Sequence, residues 1–196
     1  MPRYAPQHRE HTRERILDAA SRAYLRAGLS GVSVQSVMQD AGLTHGGFYA
    51  HFENRDALVA AALERSAFRK HAALVAHART HPHPLAALVR AYLSRQHRDH
   101  PDDGCPLPAL SADVSRAQDP LRRTFAQGLT HFTQSVLGLQ PDLTPAQAQT
   151  LVAALVGTLL LARALPDREA SDALLHGARH TLIKALPPAP PGPAPA

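Results

Sequence analysis

Ser33–Phe52 reads SVQSVMQDAGLTHGGFYAHF, two short helical patterns joined by a tight turn. Ser33 stands where its hydroxyl can accept from an orphan backbone N–H of an opening helical turn. Val34, Val37, Met38 and Ala41 recur at helical spacing and give one face to bury. Gly42 follows the last apolar position, where a left-handed residue ends a helix at little cost. Leu43 anchors the turn, and Thr44 caps a brief second helix. This is a helix-turn-helix pattern, an arrangement that sets its second helix into a DNA major groove.

Working outward, a helix from about 10 to 27 precedes this pair, with Ile16, Ala20, Ala23, Tyr24 and Ala27 inward and Gly28 closing it. Residues 1 to about 9 carry Pro2, Arg3, Pro6 and Arg9 and read as a mobile basic arm. After the pair, Asn54 caps a long helix to about 79, with Leu58, Ala61, Ala62, Phe68, Ala72 and Val75 as its stripe.

The run Gly42-Leu43-Thr44-His45-Gly46-Gly47-Phe48-Tyr49-Ala50-His51-Phe52, followed by Asn54-Arg55-Asp56-Ala57-Leu58, strongly resembles the TetR/AcrR family of bacterial transcriptional repressors. The resemblance covers roughly residues 10 to 60. It implies that Thr44, Tyr49, His51 and Arg55 grip phosphates, and that Gln35 and His45 reach base edges. Glutamine suits bidentate pairing with adenine. Gly46 and Gly47 carry no side chain and point to close approach to DNA. Phe48 and Phe52 read as core. The sequence departs from the family where a lysine is frequent at the place of His45 and a Ser-Lys pair at that of Asn54-Arg55.

Composition bounds the rest. The 196 residues suffice for one or two domains, and a net charge of +5 suits a polyanionic partner. The single Cys105 excludes an internal disulfide and fits a reducing, cytoplasmic setting. The polar N-terminus reads as lacking a signal peptide. The longest apolar run, 151–165, reads as a buried helix, too short to span a bilayer.

Five more helices follow from caps and period. One starts at Pro84 and carries Leu85, Leu88, Val89, Tyr92, Leu93 and Gln96. A short one lies over 106–116, and a long one follows Asp119-Pro120 to about 139. Thr144-Pro145-Ala146-Gln147 joins an N-cap, an N1 proline and a capping-box glutamine, and opens a helix apolar on nearly every side. Such a helix needs cover all round. The last helix spans about 168–186, and the tail PPAPPGPAPA reads as polyproline-type disorder.

The fold expected is all-α with about nine helices. The expected domains are a helix-turn-helix head over 1–53, a ligand-binding and dimerisation body over 54–187, and a Pro-rich tail over 188–196. Leu88, Tyr92, Leu107, Leu110, Phe125, Leu129 and Phe132 offer an apolar effector pocket, with Tyr92, Gln96 and His131 as polar anchors. Cys105 beside it is read either as an electrophile sensor, as in some TetR-like repressors, or as a packed apolar thiol.

Thirteen histidines invite a metal reading, and His77/His81 and His176/His180 have ligand spacing on a helix. No carboxylate or thiol completes either pair, so no metal and no cofactor is assigned. No hydrolase elbow, phosphate loop or dinucleotide fingerprint occurs, so an enzyme is not the first reading. The function expected is a homodimeric repressor that leaves a palindromic DNA operator when a small apolar or aromatic effector binds, with no membrane partner. A helical interaction adaptor, or a ligand-processing helical enzyme without DNA binding, remains the alternative.

Overall fold

The computed structural model describes residues 6–187, and every regular element among them is helical. The α-helices are α1 Pro6–Ala27, α2 Val34–Asp40, α3 Arg55–Arg79, α4 Pro84–Tyr92, α5 Arg95–Asp99, α6 Pro106–Ser115, α7 Asp119–Leu139, α8 Pro145–Ala164 and α9 Arg168–Lys184. Two 3-10 segments, His45–Ala50 and Pro101–Asp103, interrupt the series. Most of the expected basic arm and the Pro-rich tail lie outside the described residues.

Backbone contacts divide the chain into two units, one holding residues up to 68 with 101–127, the other 69–100 with 128 onward. The expected boundary at 53 falls inside the first unit. That unit buries Ile16, Ala20, Tyr24, Val37, Met38, Phe48, Phe52 and Leu58 in one core, which Leu110 and Val114 of α6 also enter. Gly28 ends α1 at φ +74°, and the next amide, Leu29 N–H, donates to Asp113 Oδ2 at 3.1 Å. A Cβ on Gly28 would come within 2.9 Å of that oxygen, so backbone angle and space both call for glycine. Arg65 on α3 pairs with Glu14 and Asp18 of α1.

In the second unit the capping box forms as expected: Gln147 N–H donates to Thr144 Oγ1 at 3.3 Å, and Thr144 N–H donates to Gln147 Oε1 at 2.8 Å. The α8 helix buries Leu151, Val152, Leu155, Leu159 and Ala162, yet leaves Leu160 and Leu161 exposed. Cover all round is therefore not supplied by this chain's described residues. By length and composition α8 could cross a bilayer. Its Arg163, however, donates to the carbonyls of His97 at 2.6 Å and Arg98 at 3.2 Å, within the protein.

Three expectations need correction. The helix expected from Pro84 through Gln96 is two helices. It breaks after Tyr92 because Ser94 caps a new start, accepting from His97 N–H at 3.1 Å. The Tyr92 carbonyl freed by the break accepts from His97 Nδ1–H at 2.8 Å. The stripe of α3 does not pass through Phe68 and Ala72, which are exposed, but through Ala67, His71, Leu74 and Ala78. A histidine in the core hid that register, since apolar periodicity does not count it. Ala27, expected inward, is exposed.

The α5 helix is held by charge as well as packing. Arg98, only 6% exposed, donates to Asp172 Oδ1 at 2.7 Å, Ser171 Oγ at 2.9 Å and Asp99 Oδ1 at 2.8 Å. Its hydrogen bonds hold both carboxyls below the usual carboxylate range.

Candidate nucleic-acid interface

The head is built as the caps dictate. Ser33 Oγ accepts from Ser36 N–H at 3.0 Å, opening α2. At the other end Gly42, at φ +68°, sits in a Schellman turn: Leu43 N–H donates to Met38 O at 2.8 Å and Gly42 N–H to Gln39 O at 2.9 Å. The Ala41 carbonyl is taken by Arg15 Nη2 at 2.6 Å. This turn fixes the direction in which the following segment leaves.

That segment, His45–Ala50, is a 3-10 helix rather than the short α-helix the pattern implied. Two glycines in six residues explain the difference, since glycine is a poor α-helix former. Thr44 holds the N-cap backbone position but makes no side-chain cap bond, so its hydroxyl is left to other partners. Phe48 is buried, stacked on Phe52 at 5.9 Å and met edge-on by Tyr49 at 5.2 Å. The two phenylalanines therefore act as core, and they turn Tyr49, which is 70% exposed, outward. Gln35, Thr44, His45 and Gly46 are exposed beside it.

Neither glycine is required by the protein's own packing. A Cβ on Gly46 meets nothing within 4 Å, and one on Gly47 meets only Met38 Cε at 3.7 Å, an ordinary contact.

Arginines of α1 brace the far end of the segment. Arg9 Nη2 donates to Ala50 O at 2.7 Å, and Arg13 lies 5.0 Å over the Phe52 ring. Arg9 was expected in a mobile arm; it lies within α1 and is anchored. Both were missed as site residues, although their spacing of four on one helix was a readable signal. His51 is half-buried with Nδ1 enclosed and unpartnered among the described residues. Burial first, then Arg9 and Arg13, lower its pKa and favour the neutral ring. Arg55, expected on a phosphate, donates to the Leu29 carbonyl, with Val32 O at 3.5 Å. In this structure it positions the link between α1 and α2.

The residues expected around an effector fall on both units. Cys105, Leu107 and Leu110 are buried and Phe125 half-buried in the first unit, where Leu110 and Phe125 pack with the head's core. Leu88, Tyr92 and Phe132 are buried in the second, where Tyr92 and Phe132 stack at 5.6 Å. Leu129, Gln96 and His131 are exposed. Cys105, wholly buried, stands at the N-cap backbone position of α6.

Residues 16–62 match the family model described as bacterial regulatory proteins, tetR family. Over 64 residues the chain is 34% identical to the HTH-type transcriptional regulator TtgR of Pseudomonas putida, a match covering 33% of this chain and 30% of that protein. The likeness to this curated relative thus spans about a third of its length. Two solved structures share the fold over nearly the whole chain. A TetR-family regulator from Cytophaga hutchinsonii matches at TM-score 0.75 and 20% identity, covering 90% of this chain and 96% of that one. The reduced form of NemR from E. coli matches at TM-score 0.71 and 23% identity, covering 89% and 96%. Residues 16–62 are thus similar to the head of bacterial regulatory proteins of the tetR family, and the all-α fold of the chain is the one these two solved structures adopt.

Proposed function

We propose that this protein is a DNA-binding transcriptional regulator, a repressor that works as a homodimer on a pseudo-palindromic operator. The observation that carries the reading is the surface at Gly46. No internal contact excludes a side chain there, yet the position is exposed between His45 and Tyr49 on a segment clamped from behind. A surface that omits side chains without internal need is suited to another molecule's close approach. Thr44 and Tyr49 offer hydroxyls to phosphates, which position the protein, while Gln35 and His45 offer groups to bases, which specify sequence.

Gly46→Ala separates the two demands. Its fold is expected to keep or slightly exceed the wild-type melting temperature, because alanine restricts the unfolded chain more than glycine does. Operator affinity is expected to fall at least several-fold in a gel shift with DNA from upstream of the protein's own gene. Full affinity in that variant would remove the close-approach argument. Within the same assay Tyr49→Phe should weaken every sequence about equally, by roughly 1 kcal/mol, the scale of one hydrogen bond. Gln35→Ala should instead relax preference at one position in each half-site. A Tyr49→Phe protein with altered sequence preference would invert these roles.

One head reads few base pairs, so two-fold pairing is part of the proposal, with half-sites about 34 Å apart or a multiple of it. Gly157, Leu160 and Leu161 on α8, with the flank of α9 that carries Leu174, Ala178 and Leu182, are the surface that a second copy would cover as a four-helix interface. Release by a small apolar or aromatic effector is the finer part of the reading. Its coupling is limited to the effector's difference in affinity between DNA-competent and incompetent states. Tyr92 and Phe132 are the aromatic candidates in the second unit. A thermal-shift screen with apolar and aromatic compounds tests this part, and the absence of any stabiliser would count against it.

A further inference from the structure

Away from the head, the second unit holds a cavity of about 340 Å3 where α4 meets α9. Its lining is Arg90 from α4 and His176, Arg179, His180, Ile183 and Lys184 from α9. The α9 residues follow three- and four-residue steps, so they share one flank of the helix. No aspartate or glutamate is among them. Neither Arg90, Arg179 nor Lys184 has an ion pair among the described residues. The contrast lies one turn away: Arg95, Arg98 and Arg168 are neutralised by Asp99 and Asp172.

The basic end of a helix explains part of this. Cations in a last turn suit the helix dipole, which accounts for Lys184. It does not account for Arg179, a turn further in, or for Arg90 on another helix. Two guanidiniums without carboxylates around a concave space leave positive charge uncompensated.

We propose that this cavity binds a small polyanion, a ligand carrying two or more phosphate or carboxylate charges. Guanidiniums match both groups through paired N–H donors. The imidazoles of His176 and His180 add further donors, and Ile183 gives the wall an apolar patch. A cavity of this volume is the size of a small-molecule site and does not admit a duplex. The neighbouring cavity, which shares His176 and Arg179, includes Glu169 and Asp172 and is the poorer place for an anion. Among the described residues no group of three metal-ligating side chains occurs, so the histidine pair is not completed as a metal site.

Calorimetric titration of the full chain with pyrophosphate, and separately with citrate, tests the proposal at about 0.15 M salt, where purely long-range attraction is largely screened. One anion is expected to saturate each chain, and the stronger of the two separates phosphate from carboxylate recognition. Arg90→Gln and Arg179→Gln should each weaken binding about tenfold, the effect of losing one charged hydrogen-bonded contact. Arg26→Gln on α1 should leave it unchanged. The same anion should raise the wild-type melting temperature and lose that effect in the two variants, which guards against variants that fold poorly. Failure of both anions to saturate, or equal binding by the variants, overturns the proposal. So does loss of non-specific duplex binding by the variants with anion binding intact, which would make the patch a DNA surface.

Discussion

Lowering the pH from 7 to 5 is expected to cost the second unit about 4 kcal/mol of stability, through two buried histidines. His71 is wholly buried and lies 4.1 Å from the Phe132 ring, nearly parallel to it. His97 is buried edge-on to Tyr92 at 4.8 Å. Burial lowers each pKa to about 3, reinforced by His131 beside His71 and by Lys70 and Arg163 near His97. In the unfolded chain each imidazole titrates near about 6.5. Acid therefore protonates the unfolded chain first and pulls the equilibrium toward it. Their contribution is complete above the unfolded value and is lost as pH falls from about 6.5 toward about 3. By pH 5 the loss is about 2 kcal/mol for each ring. Urea unfolding at pH 7, 6 and 5 measures it. His71→Phe, which keeps an aromatic ring against Phe132, and His97→Gln, which keeps a donor for the Tyr92 carbonyl, should each remove about half of the slope. Equal urea midpoints at pH 5 and 7 would show that neither ring is held neutral. Asp99 and Asp172 act in a different window. With their pKa values depressed by Arg98, their stabilisation is present above the unfolded carboxylate value and disappears as pH falls through the folded one.

Leu155→Asp is expected to unfold the second unit, at a cost of about 4 kcal/mol or more. Leu155 is fully buried on α8. The change removes the packing of a buried leucine, about 2–5 kcal/mol when alanine replaces it, and adds a carboxyl without a partner. Leu161→Asp, on the 59% exposed face of the same helix, is the companion. The cost to the fold of the chain itself should be within about 0.5 kcal/mol, so that any larger loss of stability toward urea should depend on protein concentration, as the loss of a dimer does. If α8 pairs two copies, sedimentation should show Leu161→Asp as a folded monomer. A Leu155→Asp protein with an unchanged midpoint would contradict the core described above.

What was legible in the sequence is what local chemistry decides. Ser33, Gly42 and the Thr144–Gln147 box announced their caps because each side chain or backbone freedom answers a specific orphan group at a helix end. Phe48 and Phe52 could be assigned to the core because, four residues apart, they fall on one side of a turn and stack on each other. What was hidden depends on groups distant in sequence. Arg55 finds the Leu29 carbonyl 26 residues away, and nothing in its neighbourhood distinguishes that from a phosphate contact. His71 is buried with Phe132, 61 residues away, stacked on its ring. The break at Ser94 is read from its cap geometry, but the pattern of apolar residues runs straight through it. Arg9 and Arg13 became site residues once α1 and the 3-10 segment were placed side by side.

The open space at Gly46 also has a practical consequence for retargeting. Specificity in a groove reader is usually entangled with folding, since most side chains that face outward also pack inward. At Gly46 any added Cβ projects into solvent, and the segment's anchors, Phe48 and the Arg9 bond to Ala50, lie elsewhere. A saturation library at this codon would vary the contour presented to a ligand while the scaffold stays constant. Selection on randomised duplexes could then sort new sequence preferences without a parallel screen for rescue of stability.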